Sequence, residues 1–433
     1  MKRPVALTFL LVLSSTLAQA ERKSFDDEIA NLKSPSAATR ARAARALGET
    51  GRREAIPSLL TVLGDDEPKV RQAAVDSLRL FKETEVVPGF VRALGDGDAR
   101  VRESALSGIM DVYIETEKTR PIDYFLSLFR ADEPPPEIVP FTPVEPSVFR
   151  ALETLLHDPQ TGLRRRAATA LGLLKASGSI PALSAALGDP DREVRARTIA
   201  SLGLIGGDPA GEALVSVLND PYRVIRIQAV DALGQMGHRP AGPALLALVE
   251  SEKTTELGAR AFSALARIGS PEARQLFLER MTSRRPVERR FSVEGLGRLS
   301  DPKLAPGLVK DFLREPDPSV QLAYCFALVK VGRPEFVDRL ALSLAQVDVK
   351  TQAHGYLVDL GRAGLPELYE YLSDPVADVR KGVAVVMMQL GDPASIPHLE
   401  RLLSDPNPDV ADRANRAIAR LQRVKLTSTT EVK

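Results

Sequence analysis

The sequence predicts an all-α fold, an α-solenoid in which about 11–12 helical hairpins stack into a right-handed superhelix with a period of about 31 residues. Three observations lead to this prediction. Arginines return at this interval, the same helix start and stop signals return with them, and the apolar residues between the signals follow helical spacing. The periodic arginines are separated by one period or, once, by two: Arg40, Arg71, Arg102, Arg164, Arg195 and Arg226.

The segment from Asp189 to Leu218 illustrates one unit. Asp189 followed by Pro190 predicts a helix start, with the aspartate as N-cap and the proline at the first helical position. Gly206 and Gly207 predict the end of this helix, because glycine adopts the left-handed conformation found just past a helix C-terminus. An apolar stripe lies between the two signals: Val194, Thr198, Ile199, Leu202 and Ile205. A second helix follows, so each unit is predicted to be a helical hairpin.

The elements follow in a simple order along the chain. The array should be closed by polar-faced terminal helices, because each hairpin can bury its apolar face only against a neighbour. The predicted order is a signal peptide at 1–20, an N-terminal capping helix at 21–33, three repeats at 34–129, a proline-rich insert replacing one repeat at 130–156, further repeats with a C-terminal cap at 157–421, and a polar tail at 422–433.

The repeating pattern is Asp-Pro, Val-Arg, Ala-x-x-Ala-Leu-Gly, Gly, and then Ala/Val-Ile-Pro-x-Leu. This pattern resembles HEAT repeats, in particular the short type found in phycobilisome lyase-like proteins, and the resemblance covers nearly the whole chain after residue 20. It implies a helical array. For function, the resemblance implies either a scaffold or a protein that handles a prosthetic group, as bilin lyase subunits do.

The periodic arginines have an acidic counterpart, since an aspartate lies six residues before many of them. Stacking should place these charges in two adjacent rows, which predicts a structural ladder of charge-assisted hydrogen bonds between hairpins. A basic binding stripe is the alternative interpretation. The predicted ladder contains Arg40, Arg71, Arg102, Arg164, Arg195, Arg226 and Arg380 together with Asp158, Asp189, Asp220 and Asp374.

A proline-rich segment interrupts the array between Arg130 and Ser147, with six prolines from Pro134 to Pro146. Proline lacks an amide donor and fixes its own φ angle, so the segment favours polyproline II over helix. Together with a short helix at 148–156, it is predicted to replace one repeat without loss of phase. It is either a degenerate repeat packed on its neighbours or a strap that docks a partner through Ile138, Val139, Phe141 and Val144.

The second helix of each hairpin is predicted to line the concave face of the superhelix. After removal of the core positions, larger residues remain for this face, and exposed aromatic and leucine side chains suit partner binding. The alternative is that they are ordinary surface residues. These candidates are Tyr124, Leu128, Leu248, Leu278, Tyr371 and His398.

The N-terminus predicts export. A basic start at Lys2 and Arg3 precedes a short apolar run, and the small residues that end at Ala20 suit signal-peptidase cleavage after that residue. The apolar run is shorter than the roughly 20 residues of a transmembrane helix, so no integral membrane segment is expected in the mature chain. We expect a periplasmic or secreted protein. The single cysteine, Cys325, excludes an intramolecular disulfide.

Composition and motifs argue against several classes of function. The formal net charge of +1 falls to about −1 without Lys2 and Arg3, which disfavours nucleic-acid binding. No phosphate-binding loop, His-Glu-x-x-His motif or Gly-x-Ser-x-Gly elbow is present, so no catalytic residue, cofactor or metal site is predicted. We therefore expect an exported non-enzymatic scaffold that binds a protein or peptide through its concave face. The alternatives are a lyase-like or chaperone-like protein for a prosthetic group, or an enzyme with an unrecognised site.

Overall fold

The computed structural model describes residues 24–114 and 143–430, with side chains up to residue 422. All regular secondary structure in these ranges is helical, which confirms the predicted all-α solenoid. The chain divides into two compact units, with the boundary in the sequence between Val217 and Leu218. The predicted signal peptide at 1–20 lies outside the described residues.

The first unit contains a helix α1 at residues 24–31 and five hairpins. Each hairpin has a first and a second helix, joined in most cases by a short 3-10 turn. In order, the pairs are α2 (Ala37–Glu49) with α3 (Ile56–Val62), α4 (Pro68–Leu78) with α5 (Val87–Ala93), α6 (Ala99–Tyr113) with α7 (Pro146–Leu155), α8 (Thr161–Leu173) with α9 (Ile180–Ala186), and α10 (Arg192–Ile205) with α11 (Asp208–Ser216).

The second unit contains six hairpins and one long terminal helix, α24 (Pro408–Thr430). Its pairs are α12 (Arg223–Met236) with α13 (Gly242–Ser251), α14 (Glu256–Ile268) with α15 (Arg274–Arg280), α16 (Pro286–Arg298) with α17 (Ala305–Phe312), α18 (Pro318–Lys330) with α19 (Val337–Leu342), α20 (Lys350–Leu360) with α21 (Leu365–Leu368), and α22 (Ala377–Leu390) with α23 (Ile396–Glu400). The described ranges thus hold eleven hairpins.

The start of the first helix differs from the prediction in α10. The N-cap is Asp191, whose carboxylate accepts hydrogen bonds from the amides of Glu193 and Val194. Asp189 is not the N-cap, because its carboxylate accepts the amide of Asp191 at 2.8 Å and closes a turn two residues earlier. The predicted stop is confirmed, since Gly206 ends the helix with a φ of 77°.

The third hairpin lies next to the fourth although a long segment separates its two helices. Its first helix α6 ends at Tyr113 and its second helix α7 begins at Pro146, and residues 115–142, which hold most of the predicted insert, lie outside the described residues. Arg71 bonds to an acid 25 residues later, whereas Arg102 makes the same bond to Asp158, 56 residues later. The difference of 31 residues equals one period, which is why the repeat phase alone suggested a replaced unit.

Terminal helices cover the apolar surface of the outermost hairpins. Phe25 and Leu32 are buried next to the first hairpin, with the Arg52 guanidinium 4.0 Å from the Phe25 ring centre. At the other end, α24 buries Val410 and Leu421 along one face. The helix α24 continues through the predicted polar tail as far as Thr430, because neither glycine nor proline stops it there.

Close helix packing explains one recurring glycine. Gly172 ends the Ala-Leu-Gly signature of α8, and a Cβ atom placed there would lie 2.6 Å from the Ser201 Cβ on α10. The Ser201 hydroxyl also donates a hydrogen bond to the Ala168 carbonyl of α8 at 2.7 Å. The first helices of neighbouring hairpins therefore approach too closely for a side chain at this position.

Gly172→Val should lower the free energy of unfolding by about 2 kcal/mol, because the added side chain overpacks the contact between α8 and α10. The matched control is Gly162→Val in the same helix, where a Cβ atom meets nothing within 4 Å. Urea denaturation followed by circular dichroism measures both variants. Equal destabilisation of the two variants would show that the loss comes from placing valine in a helix and not from the close packing at Gly172.

Candidate functional site

The periodic arginines join neighbouring hairpins along the edge that carries the inter-hairpin turns. Arg164 donates two hydrogen bonds, at 2.7 and 3.1 Å, to the Asp189 carboxylate of the following turn. Its remaining nitrogen, Nη1, donates to the Asp158 carbonyl at 2.9 Å. Five further pairs have the same bidentate geometry: Arg40 with Asp65, Arg71 with Asp96, Arg102 with Asp158, Arg289 with Glu315 and Arg380 with Asp405.

Other members of the predicted ladder make only some of these hydrogen bonds. Arg195 and Arg226 donate to the carbonyls of Asp189 and Asp220, at 2.8 and 3.0 Å. The Asp374 carbonyl accepts from Arg380 at 2.7 Å, and its carboxylate accepts the amide of Val376. Asp158, Asp189, Asp220 and Asp374 therefore each contribute a backbone carbonyl to the arginine of their own hairpin, and Asp158 and Asp189 also contribute a carboxylate to the arginine before.

The electrostatics follow from this geometry. The hydrogen bond from Arg40 lowers the pKa of Asp65, and the bond from Arg380 lowers that of Asp405. Side-chain exposure is only 14% for Arg164 and 7% for Asp189. The guanidinium groups are thus largely occupied by protein acceptors, and the row stabilises stacking more than it offers a free basic surface.

The ladder is interrupted where both partners are missing. Ala259 occupies the arginine position in the seventh hairpin, and Ser283 occupies the acidic position in the turn that follows. In the ninth hairpin Gln321 takes the place of arginine and keeps only the carbonyl bond, from Nε2 to Glu315 at 2.6 Å. In the seventh hairpin the arginine and its acid are thus absent together, as expected for a structural pair.

The opposite edge of the array carries a second set of contacts that sequence reasoning missed. Lys175 donates to the Leu204 carbonyl at the end of the next hairpin's first helix. Arg239 donates to Ile268 at 3.3 Å, and Arg362 donates to Gly391 at 3.0 Å. Each cation lies at a helix C-terminus, where the helix dipole favours positive charge. The basic residue in the turn between the two helices of each of these hairpins could have predicted these contacts.

The structure separates the candidates for the second-helix face. Leu248 is half-buried, whereas Leu278 is 40% exposed. Tyr371 and His398 lie on neighbouring hairpins near the end of the array. Tyr124, Leu128, Ile138, Val139 and Phe141 lie outside the described residues. Val144 is half-buried, two residues before α7.

An aromatic cluster occupies the second-helix side of hairpins nine to eleven. The Tyr369 and His398 rings stack with their centres 3.7 Å apart and their planes 3° from parallel. The Tyr371 hydroxyl donates to the Asp338 carboxylate at 2.6 Å. Leu342, which lies on α19 like Asp338, is 44% exposed. These five residues are called the aromatic face below. Tyr369 was not among the sequence candidates.

A buried polar network holds the helices behind this face. The Tyr356 hydroxyl on α20 donates to Glu294 on α16 at 2.5 Å, and Arg298 donates to Asp359 at 2.7 Å. Both contacts join the eighth hairpin directly to the tenth. The Phe326 ring of the intervening hairpin stacks on Tyr356 with a centroid distance of 4.5 Å. Burial and Glu294 raise the pKa of Tyr356, so its hydroxyl stays protonated as a donor.

Signals for metal or thiol chemistry are weak in the described residues. No group of three or more histidine, cysteine, aspartate or glutamate side chains there is arranged to hold a metal ion. Burial raises the pKa of Cys325 to about 12, so the thiol is not activated as a nucleophile. Burial also lowers the pKa of His354. Among residues 24–114 and 143–430, no helix combines the length and apolarity needed to cross a membrane.

Comparison with known proteins identifies the family. The model for HEAT repeats matches residues 28–110, 149–224, 211–290 and 341–419, and the chain belongs to this family. No curated protein matches the sequence. The resemblance to HEAT repeats drawn from the sequence is therefore confirmed.

Three solved structures illustrate how distant known relatives are. A crystal structure of importin beta is 14% identical, covers 97% of this chain and 67% of its own, and has a TM-score of 0.48. An engineered protein is 17% identical over 92% of this chain and 98% of its own, with a TM-score of 0.37. The complex of CpcE and CpcF of phycocyanin lyase from Nostoc sp. PCC7120 is 20% identical. It covers 55% of this chain and 85% of its own, with a TM-score of 0.29. They support no statement about the function of this chain.

Arg164→Ala should lower the free energy of unfolding by about 3 kcal/mol, because it leaves the buried Asp189 carboxylate without its counter-ion. Arg53→Ala is the matched control, since Arg53 pairs with Glu83 at an exposed site and its loss should cost less than about 1 kcal/mol. Chemical denaturation compares the two variants. Similar losses would contradict the structural role of the ladder.

Proposed function

We propose that this protein is an exported HEAT-repeat scaffold without catalytic activity, and that it binds a protein or peptide partner through the aromatic face of hairpins nine to eleven. The single observation that carries the proposal is the stack of Tyr369, just after α21, on His398 of α23, with both residues half-buried. Aromatic side chains give large contact areas at little cost in conformational entropy, and they are enriched where proteins bind partners.

The fold supports this choice of function. A stacked array presents the exposed sides of successive second helices as one extended surface, and such surfaces serve as binding sites in repeat proteins. Leu342 adds an exposed apolar group on α19, one helical turn after Asp338. The buried bond of Tyr356 to Glu294 fixes the first helix of the tenth hairpin against that of the eighth. A rigid support of this kind reduces the entropic cost of binding.

The double variant Tyr369→Ala/His398→Ala should lose partner capture by at least tenfold while the helical content stays unchanged, because it removes the stacked pair and no fully buried residue; Tyr369 is only partly buried where it packs on the core. The measurement is affinity capture by the tagged protein from envelope extract of its source, quantified by mass spectrometry. Leu80→Ala is the control, since Leu80 is a 58% exposed apolar residue in the first unit. Undiminished capture by a folded double variant would place the binding site elsewhere.

Export is supported by the basic and apolar N-terminus and by the small residues before Glu21. The protein purified from its source should therefore begin at Glu21, and its intact mass should lack the first 20 residues. Ala20→Asp should block this cleavage, because signal peptidase requires a small residue at that position. A purified protein that retains Met1 would contradict the proposal of a cleaved signal peptide.

A further inference from the structure

The aromatic face has an acidic centre at Tyr371. Its hydroxyl donates to the Asp338 carboxylate at 2.6 Å, and Glu370 lies close enough to the same hydroxyl to affect its protonation. Partial burial, the Asp338 contact and Glu370 together raise the pKa of Tyr371. Carboxylates of two neighbouring hairpins thus lie near one hydroxyl, and Glu367 is exposed on the preceding short helix α21.

These carboxylates differ from the acids of the ladder. Every bidentate ladder acid has a guanidinium within about 3 Å, as Asp405 has from Arg380 at 2.7 Å. Among the described residues, no lysine, arginine or histidine nitrogen lies within 4.0 Å of Asp338 or Glu370. The nearest base in sequence, Arg339, has its guanidinium 5.1 Å from the Phe312 ring centre. The negative charge is therefore available to a partner.

Aromatic residues flank Glu370 in the sequence: Tyr369 stacks on His398, and Tyr371 bonds to Asp338. These half-buried rings leave part of their π surface exposed, and such surfaces attract ammonium and guanidinium groups. Leu342 can contact the aliphatic stem of a lysine or arginine side chain. Two arginines of these hairpins are exposed as well, Arg339 next to Asp338 and Arg401 after α23 in the outer hairpin.

We propose that the aromatic face recognises a basic segment of a protein partner, one whose lysine or arginine side chains reach Asp338 and Glu370 while its apolar groups cover Tyr369, His398 and Leu342. This inference rests on the proposed function and names the chemistry of the partner. Opposite charges across an interface set both its specificity and its association rate. Binding is expected to weaken as the salt concentration rises.

The test uses the purified protein and two fluorescein-labelled twelve-residue peptides, one alternating lysine with leucine and one alternating glutamate with leucine. Fluorescence anisotropy should show that only the lysine peptide binds. Asp338→Asn/Glu370→Gln should weaken its binding about tenfold, because two exposed charge contacts are lost while the side-chain shapes remain. The matched control is Glu212→Gln/Glu250→Gln, which removes two exposed carboxylates from other second helices and should leave affinity within twofold.

The outcomes separate the two proposals. Equal binding of both peptides, or equal loss in the two double variants, overturns the basic partner and leaves the aromatic face as a docking site. Absence of peptide binding, with partner capture still lost in Tyr369→Ala/His398→Ala, also overturns the inference alone. If that aromatic variant retains both partner capture and peptide binding, the proposed function falls as well.

Discussion

The bidentate contact between an arginine of one hairpin and an acid of the next is the interaction on which the array depends. A HEAT hairpin has an apolar surface on both sides, and apolar burial alone does not fix how far one hairpin rotates or slides against its neighbour. The planar guanidinium does fix this geometry, because it must donate hydrogen bonds from both of its edges at once. Arg164, with Asp189 on one side and the Asp158 carbonyl on the other, joins two successive turns at a single point.

Much of this organisation could be predicted from the sequence. The period, the hairpins and the paired rows of charge follow from arginines and aspartates that repeat in phase. The atoms that each aspartate uses could not be predicted: the carboxylate of Asp189 serves the previous hairpin, and its carbonyl accepts from Arg195 of its own. For this reason the N-cap falls at Asp191, two residues later than the Asp-Pro signal suggests.

Two features depend on tertiary contacts that a periodic pattern does not record. A segment of one period can be inserted into a hairpin or can replace one, and the phase afterwards is identical; only the contact of Arg102 with Asp158 distinguishes the two. The aromatic face poses the same problem. Tyr371 and His398 stand out as large residues on second helices, but Tyr369 becomes visible only when two adjacent hairpins place its ring on His398.

The ladder also has ends, where one of its two partners is missing. Ser34 gives its carbonyl to Arg40 but has no carboxylate to receive an arginine from a preceding hairpin. On α24, Ala411 stands where earlier hairpins carry the arginine, so no guanidinium extends to a following one. A repeating interface that kept both partners at its ends would allow molecules to add head to tail into open filaments. At neither of these two positions would a second copy find the arginine or the carboxylate that continues the row.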